Sequence, residues 1–124
     1  MKRLLFLFLF ITTIILTLSA DDNTAAAINL QHKSPDNHLE HFVPFDQPDV
    51  YYDCDDQAII IDGDGAVNYY DVEIAPVTSS VPVITTQVSG YYDTIDVSSL
   101  PAAEYVITIY SPEDNTYEGF FEIL

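Results

Sequence analysis

The sequence predicts an all-β domain, and three observations predict it. After Pro48 the chain breaks into short runs rich in Val, Ile, Tyr, Thr and Phe. Clusters of Gly, Pro, Asp or Ser separate these runs about every 8–12 residues, and apolar and polar residues alternate within them. No helix of useful length is visible. Seven strands are expected: Asp49 to Cys54, Gln57 to Ile61, Asn68 to Ala75, Val83 to Val88, Tyr91 to Val97, Glu104 to Tyr110, and Tyr117 to Ile123. That number and spacing suit an immunoglobulin-like seven-stranded antiparallel β-sandwich over residues 48–124.

Two segments precede the sandwich. Residues 1–20 read as a signal peptide: Lys2 and Arg3 form a positive start, Leu4 to Leu18 an apolar block, and Ser19 and Ala20 a small-residue cleavage point before Asp21 and Asp22. An uncleaved anchor is the alternative, because Leu18 is large for its place before the cut. Residues 21–47 read as a flexible polar tether, in which Ala25 to Leu30 could form a turn of helix and Pro35 and Pro44 break anything longer. Such a leader predicts a secreted, periplasmic or cell-envelope protein, with no membrane association once it is removed.

Within the sandwich, successive strand residues point to opposite faces. Tyr70, Val72 and Ile74 should face inward, as should Tyr105, Ile107 and Ile109, and Gly119, Phe121 and Ile123. Glu118 and Glu122 should face water. The unbroken run Ala58 to Ile61 suggests a central strand covered on both faces.

The segment Ile95 to Tyr105 carries Leu100, Pro101 and Tyr105 directly ahead of a strand, with the makings of a tyrosine corner. Leu100 would plug the end of the sandwich, Pro101 would stiffen the turn, and the Tyr105 hydroxyl would bond to backbone upstream. This Leu-Pro-x-x-x-Tyr stretch, with the ending Tyr117 to Ile123, resembles the small secreted Bacteroidetes proteins of an immunoglobulin-like domain-of-unknown-function family, number 3244. More distantly it resembles the C-terminal sorting domains of that phylum's secretion system. Ala103 stands where the family pattern has Gly, so a positive φ there would strain the corner, and Phe120 stands where the pattern has an acid. The resemblance implies a fold and an envelope location; it implies no activity and no catalytic residues.

Composition narrows the partners. With Lys2 and Arg3 removed, Lys33 is the only basic residue apart from His against 20 acids, and the full chain carries a net charge of −17. Nucleic acid and anionic lipid surfaces are therefore disfavoured. Cationic partners, divalent ions, proteins and neutral glycans remain. Cys54 is the only cysteine, so the chain cannot form an intramolecular disulfide.

Several patterns could carry chemistry. Cys54 with His32, His38 or His41 could be a nucleophile with its base, or a zinc set. Its parity with Val50 and Tyr52 favours a core position instead, and the three His fall in the tether. Asp62 and Asp64 flank glycines as calcium-loop acids do, and an immunoglobulin-like topology would bring them towards Glu113 and Asp114, giving a candidate calcium site. Nothing selects a catalytic pair among so many carboxylates, and no phosphate loop or nucleophile elbow occurs, so no enzyme and no cofactor other than calcium is expected. Tyr51, Tyr69, Tyr92 and Tyr110 fall on outward faces among acids and threonines, where they could stack on sugars or anchor a protein, or simply brace the sheet surface.

The expected function is that of a monomeric, noncatalytic immunoglobulin-like module that binds an unknown protein or glycan or associates with the envelope. The alternative is a stand-alone relative of the sorting domains, handled by export machinery; a third possibility, a protease inhibitor, has no test in the sequence.

Overall fold

Where apolar residues alternate, the backbone extends and turns every second side chain towards a shared core. The computed structural model describes residues 25–33 and 44–124; the predicted leader, His38 and His41 lie outside them. Among the described residues nine strands form: β1 (Ala25–Ile28), β2 (Gln31–Lys33), β3 (Asp49–Asp53), β4 (Ala58–Asp62), β5 (Tyr69–Pro76), β6 (Ile84–Ser89), β7 (Tyr92–Asp96), β8 (Ala103–Tyr110) and β9 (Thr116–Ile123). They make two antiparallel sheets, ordered β1-β3-β4-β7 and β2-β9-β8-β5-β6.

The strands β3 to β9 are the seven expected ones, with ends shifted by a residue or so. Their inward residues are those the alternation assigns: Tyr70, Val72 and Ile74 on β5, Ile107 and Ile109 on β8, and Ile59 and Ile61 on β4 are fully buried. Tyr105, Tyr117, Phe121 and Ile123 complete the same core. The strand β4 is central in its sheet, between β3 and β7. Among the described residues no layer covers its outer face, however, and Ile60 is partly exposed, so burial on both faces is corrected to burial on one.

Two other expectations are corrected. The stretch read as a tether supplies β1 and β2, so Ala25 to Leu30 is extended rather than helical. The segment pairs with β3 in one sheet (Ile28 opposite Val50), then switches to β9 in the other (His32 opposite Tyr117). It crosses at Gly119, where an added Cβ would lie 2.6 Å from Ile28 Cγ2 and 3.1 Å from the Asn29 carbonyl oxygen. Only a glycine admits the crossing there. Cys54, expected in the core, is exposed in the β3–β4 turn. The strand stops at Asp53 because its Oδ1 accepts the Asp55 N–H (3.0 Å) and the Asp56 N–H (3.3 Å), which turns the chain before the alternation reaches the thiol.

Candidate functional site

At one end of the sandwich the β4–β5 loop, the β6–β7 turn, the β8–β9 turn and the segment before β3 converge. Their anchor is Asp46, a carboxylate completely removed from solvent. Ser111 Oγ and the Tyr117 hydroxyl each donate to it, and Asn115 Nδ2 donates to both oxygens at 3.0 and 3.1 Å. Its backbone carbonyl accepts from the Tyr70 hydroxyl at 2.7 Å. Because the carboxylate can only accept, Asn115 must turn its Nδ2 towards Asp46 and its Oδ1 towards His32. The contact of His32 Nε2 with that oxygen, at 3.0 Å, is therefore one in which the imidazole donates. Through it β2 is tied to the centre of the network.

Burial, the largest single influence on Asp46, acts to raise its pKa. The hydrogen bonds from Ser111, Tyr117 and Asn115 together outweigh it and hold the group below its ordinary value. The phenols respond oppositely. Burial and the nearby Asp46 push Tyr70 up to about 12, and burial with the bond to Asp46 raises Tyr117 further. A phenol whose pKa rises from 10.0 on folding contributes stability in full below pH 10.0 and loses it as pH climbs through the folded value. The thermal midpoint should therefore hold up to about pH 10 and then fall. Phenolate absorbance should appear in two steps, exposed tyrosines first and Tyr70 and Tyr117 only with unfolding; a single non-cooperative rise would contradict this.

Beside this network the backbone holds one turn rigidly. The Gly63 and Asp64 N–H groups both donate to the Tyr91 carbonyl (3.0 and 3.2 Å), the Gly65 N–H to the Gly90 carbonyl (3.1 Å), and the Gly90 N–H to the Asn68 carbonyl (2.9 Å). Gly90 sits so close to the Val67 carbonyl that a Cβ would collide with it. Gly65 has φ +77°, and a Cβ there would fall 2.5 Å from the Tyr91 ring. These constraints leave Tyr91 66% and Tyr92 59% exposed at the tip, with Phe45, 72% exposed, next to Asp46 at the same end.

The sequence-predicted residues fall as follows. Leu100, Pro101 and Tyr105 form the corner: the Tyr105 hydroxyl donates to the Pro101 carbonyl at 2.6 Å, and Leu100 packs on the core. Ala103 lies in β8 without a positive φ and carries no strain of that kind. The four surface tyrosines do not form one platform. Tyr51 and Tyr92 lie on the outside of the four-stranded sheet, Tyr69 and Tyr110 on the outside of the five-stranded sheet, and the Tyr110 hydroxyl donates to Glu73 Oε2 at 3.3 Å. The calcium set is not assembled. Asp62 Oδ1 accepts the Asp64 N–H at 3.2 Å, and the turn carrying Glu113 and Asp114 folds onto Ser111. Among the described residues no three His, Cys, Asp or Glu side chains are grouped to hold a metal ion.

This architecture can be set against known ones. No protein-family model and no curated protein matches the chain. Among solved structures it is similar to a DUF3244 family protein with an immunoglobulin-like β-sandwich fold from Bacteroides vulgatus ATCC 8482. The TM-score is 0.62 and the identity 16%, over 81% of this chain and 99% of that one. The chain is an immunoglobulin-like β-sandwich. In that sandwich the sequence reading missed the exposed Tyr91, the polar groups of Ser111 and Asn115 and, at their centre, Asp46. The visible mark of Asp46 is slight, a lone acid in Pro44-Phe45-Asp46-Gln47-Pro48, where the Gln47 N–H donates to the Pro44 carbonyl at 3.2 Å and turns the chain ahead of β3.

Proposed function

We propose that this immunoglobulin-like domain is a noncatalytic binding module of the secreted or envelope space, working through the end that presents Tyr91 and Tyr92. The observation that carries the reading is the clamp on the β6–β7 turn. Two well-exposed aromatic rings stand on a backbone fixed by four hydrogen bonds from and to the neighbouring loop. Ordering such a turn before binding removes much of the entropic penalty of association, and tyrosines supply large contact area with few rotatable bonds. Asp46 supports the noncatalytic side: its oxygens are all engaged by neighbours, so it has no lone pair aimed at a substrate. The leader-like residues 1–20 support the location, and the acidic surface favours neutral or cationic partners over anionic ones. The test is a binding screen of the purified chain against arrayed glycans and purified envelope proteins. A ligand should be found whose dissociation constant rises about tenfold in Tyr91→Ala, a loss of about 1.4 kcal/mol. Ligands held equally well by wild type, Tyr91→Ala and Tyr92→Ala would remove this end of the sandwich from the explanation.

A further inference from the structure

Outside the four-stranded sheet, where the N-terminal segment leaves β1 to cross to β2, a groove of about 230 Å³ opens against the start of β3. Its walls include Asn29 and Leu30 on one side and Gln47, Pro48, Asp49 and Tyr51 on the other. We infer that this groove binds one ring of a neutral oligosaccharide. The inference rests on the binding-module reading and names the ligand class for the adjoining surface.

Shape comes first. Clefts that enclose drug-sized ligands run to roughly 300–1,000 Å³, so this smaller hollow suits a single ring with the rest of the ligand outside it. Ala27 stands opposite Tyr51 in the ladder, and its methyl group leaves the flank of the Tyr51 ring open. The half-buried Tyr51 offers apolar surface to the C–H face of a sugar, beside a Leu30 that packs on the core. Around them Asn29 and Gln47 provide amide donors and acceptors, and Asp49 provides two acceptor oxygens. Among the described residues none of these three side chains is committed to a hydrogen bond. Planar amide and carboxylate groups of this kind match neighbouring hydroxyls, each of which both donates and accepts.

Charge selects the sugar. A uronate, sulfated or phosphorylated ring would meet Asp49 within a chain of net charge −17, whereas a neutral ring loses nothing there. Register gives the direction of the remaining units. Asp49 pairs with Asp62, which pairs with Tyr92. A ligand leaving the groove along this row therefore reaches the second exposed ring, roughly 12 Å from Tyr51 by strand spacing and rise.

The experiment follows backbone amide shifts of the isotope-labelled full chain during titration with neutral gluco-, manno- and galacto-oligosaccharides, and separately with an oligolysine peptide. A neutral sugar should shift Ala27, Asn29 and Tyr51 saturably. Its dissociation constant should rise about tenfold in Tyr51→Ala and in Gln47→Ala, and change less than about twofold in Tyr110→Ala on the far sheet. Gln47→Ala carries the test should Tyr51→Ala fail to fold. Saturable shifts from oligolysine only, abolished in Asp49→Asn, would reassign the groove to cationic peptide and overturn the inference. So would the absence of saturable shifts with all three sugars. In that case a Tyr91-dependent ligand that leaves these amides unmoved would show that the groove assignment had failed while the binding-module reading stood.

Discussion

Asp46→Ala is expected to lower the unfolding free energy by about 3–5 kcal/mol, the range for removing one partner of a buried charged network. The loss exceeds that of the bonds themselves because the substitution strands their donors. Ser111 Oγ, the Tyr117 hydroxyl and Asn115 Nδ2 all point at the carboxylate, and Ser111 and Tyr117 are buried. Asp46→Asn should be milder, about 1–3 kcal/mol, since its carbonyl still accepts while its amide opposes at least one donor. The two variants also separate a pH effect. Folding lowers the Asp46 pKa from 3.8, so its contribution is complete above that value and is lost as pH falls below it through the folded value. Acid also relieves the self-repulsion of a chain with 20 carboxylic side chains, which acts in the opposite sense. Subtracting the Asp46→Asn curve of thermal midpoint against pH from that of wild type cancels this shared term. Wild type should fall more steeply below pH 3.8. Parallel acid limbs would show that Asp46 is not a titrating anchor.

The sandwich strands were readable because their alternation spans five to eight residues, and a strand that buries one face has little choice in where its apolar residues go. The corner was readable for a similar reason, since Tyr105 reaches back only four residues to Pro101. What could not be read depends on distant pairing. The strands β1 and β2 gain their place by backbone pairing to β3 and β9, and of their own residues chiefly Ile28 reaches the core, so Ala25-Ala26-Ala27 and Gln31-His32-Lys33 show no alternation. Asp46 finds its partners 65 to 71 residues later in the chain, where no local pattern points. Parity told which tyrosines face outward but not on which sheet. Parity alone therefore groups Tyr51 and Tyr92 with Tyr69 and Tyr110, which the sandwich places on its opposite side.

Tyr105→Ala is expected to cost about 3–5 kcal/mol, in the range for removing a buried aromatic side chain, and Tyr105→Phe only about 1 kcal/mol. The contrast follows from what each atom does. The ring is almost wholly buried and stacks on Phe121, with centroids 5.6 Å apart and planes at 21°, and the two residues are direct cross-strand partners of β8 and β9. The hydroxyl makes one hydrogen bond, to the Pro101 carbonyl. Phenylalanine keeps the packing and leaves that carbonyl without its phenol donor, whereas alanine opens a cavity between strands that cannot close without moving the β8–β9 pair. A double-mutant cycle with Phe121→Ala should return a coupling of about 0.5–1.5 kcal/mol, the added worth of a stacked pair beyond its burial. Urea unfolding of the four proteins checks this. If Tyr105→Phe proved as costly as Tyr105→Ala, the hydrogen bond would be the principal restraint. The turn from Val97 to Pro101, tied on by the Val97 N–H to the Gln57 carbonyl (2.9 Å) and the Leu100 N–H to the Val97 carbonyl (3.1 Å), would then depend on that hydroxyl for its position. If the ring dominates, the corner is held by the core that β8 and β9 share, and the hydroxyl only fixes the direction from which the chain enters β8.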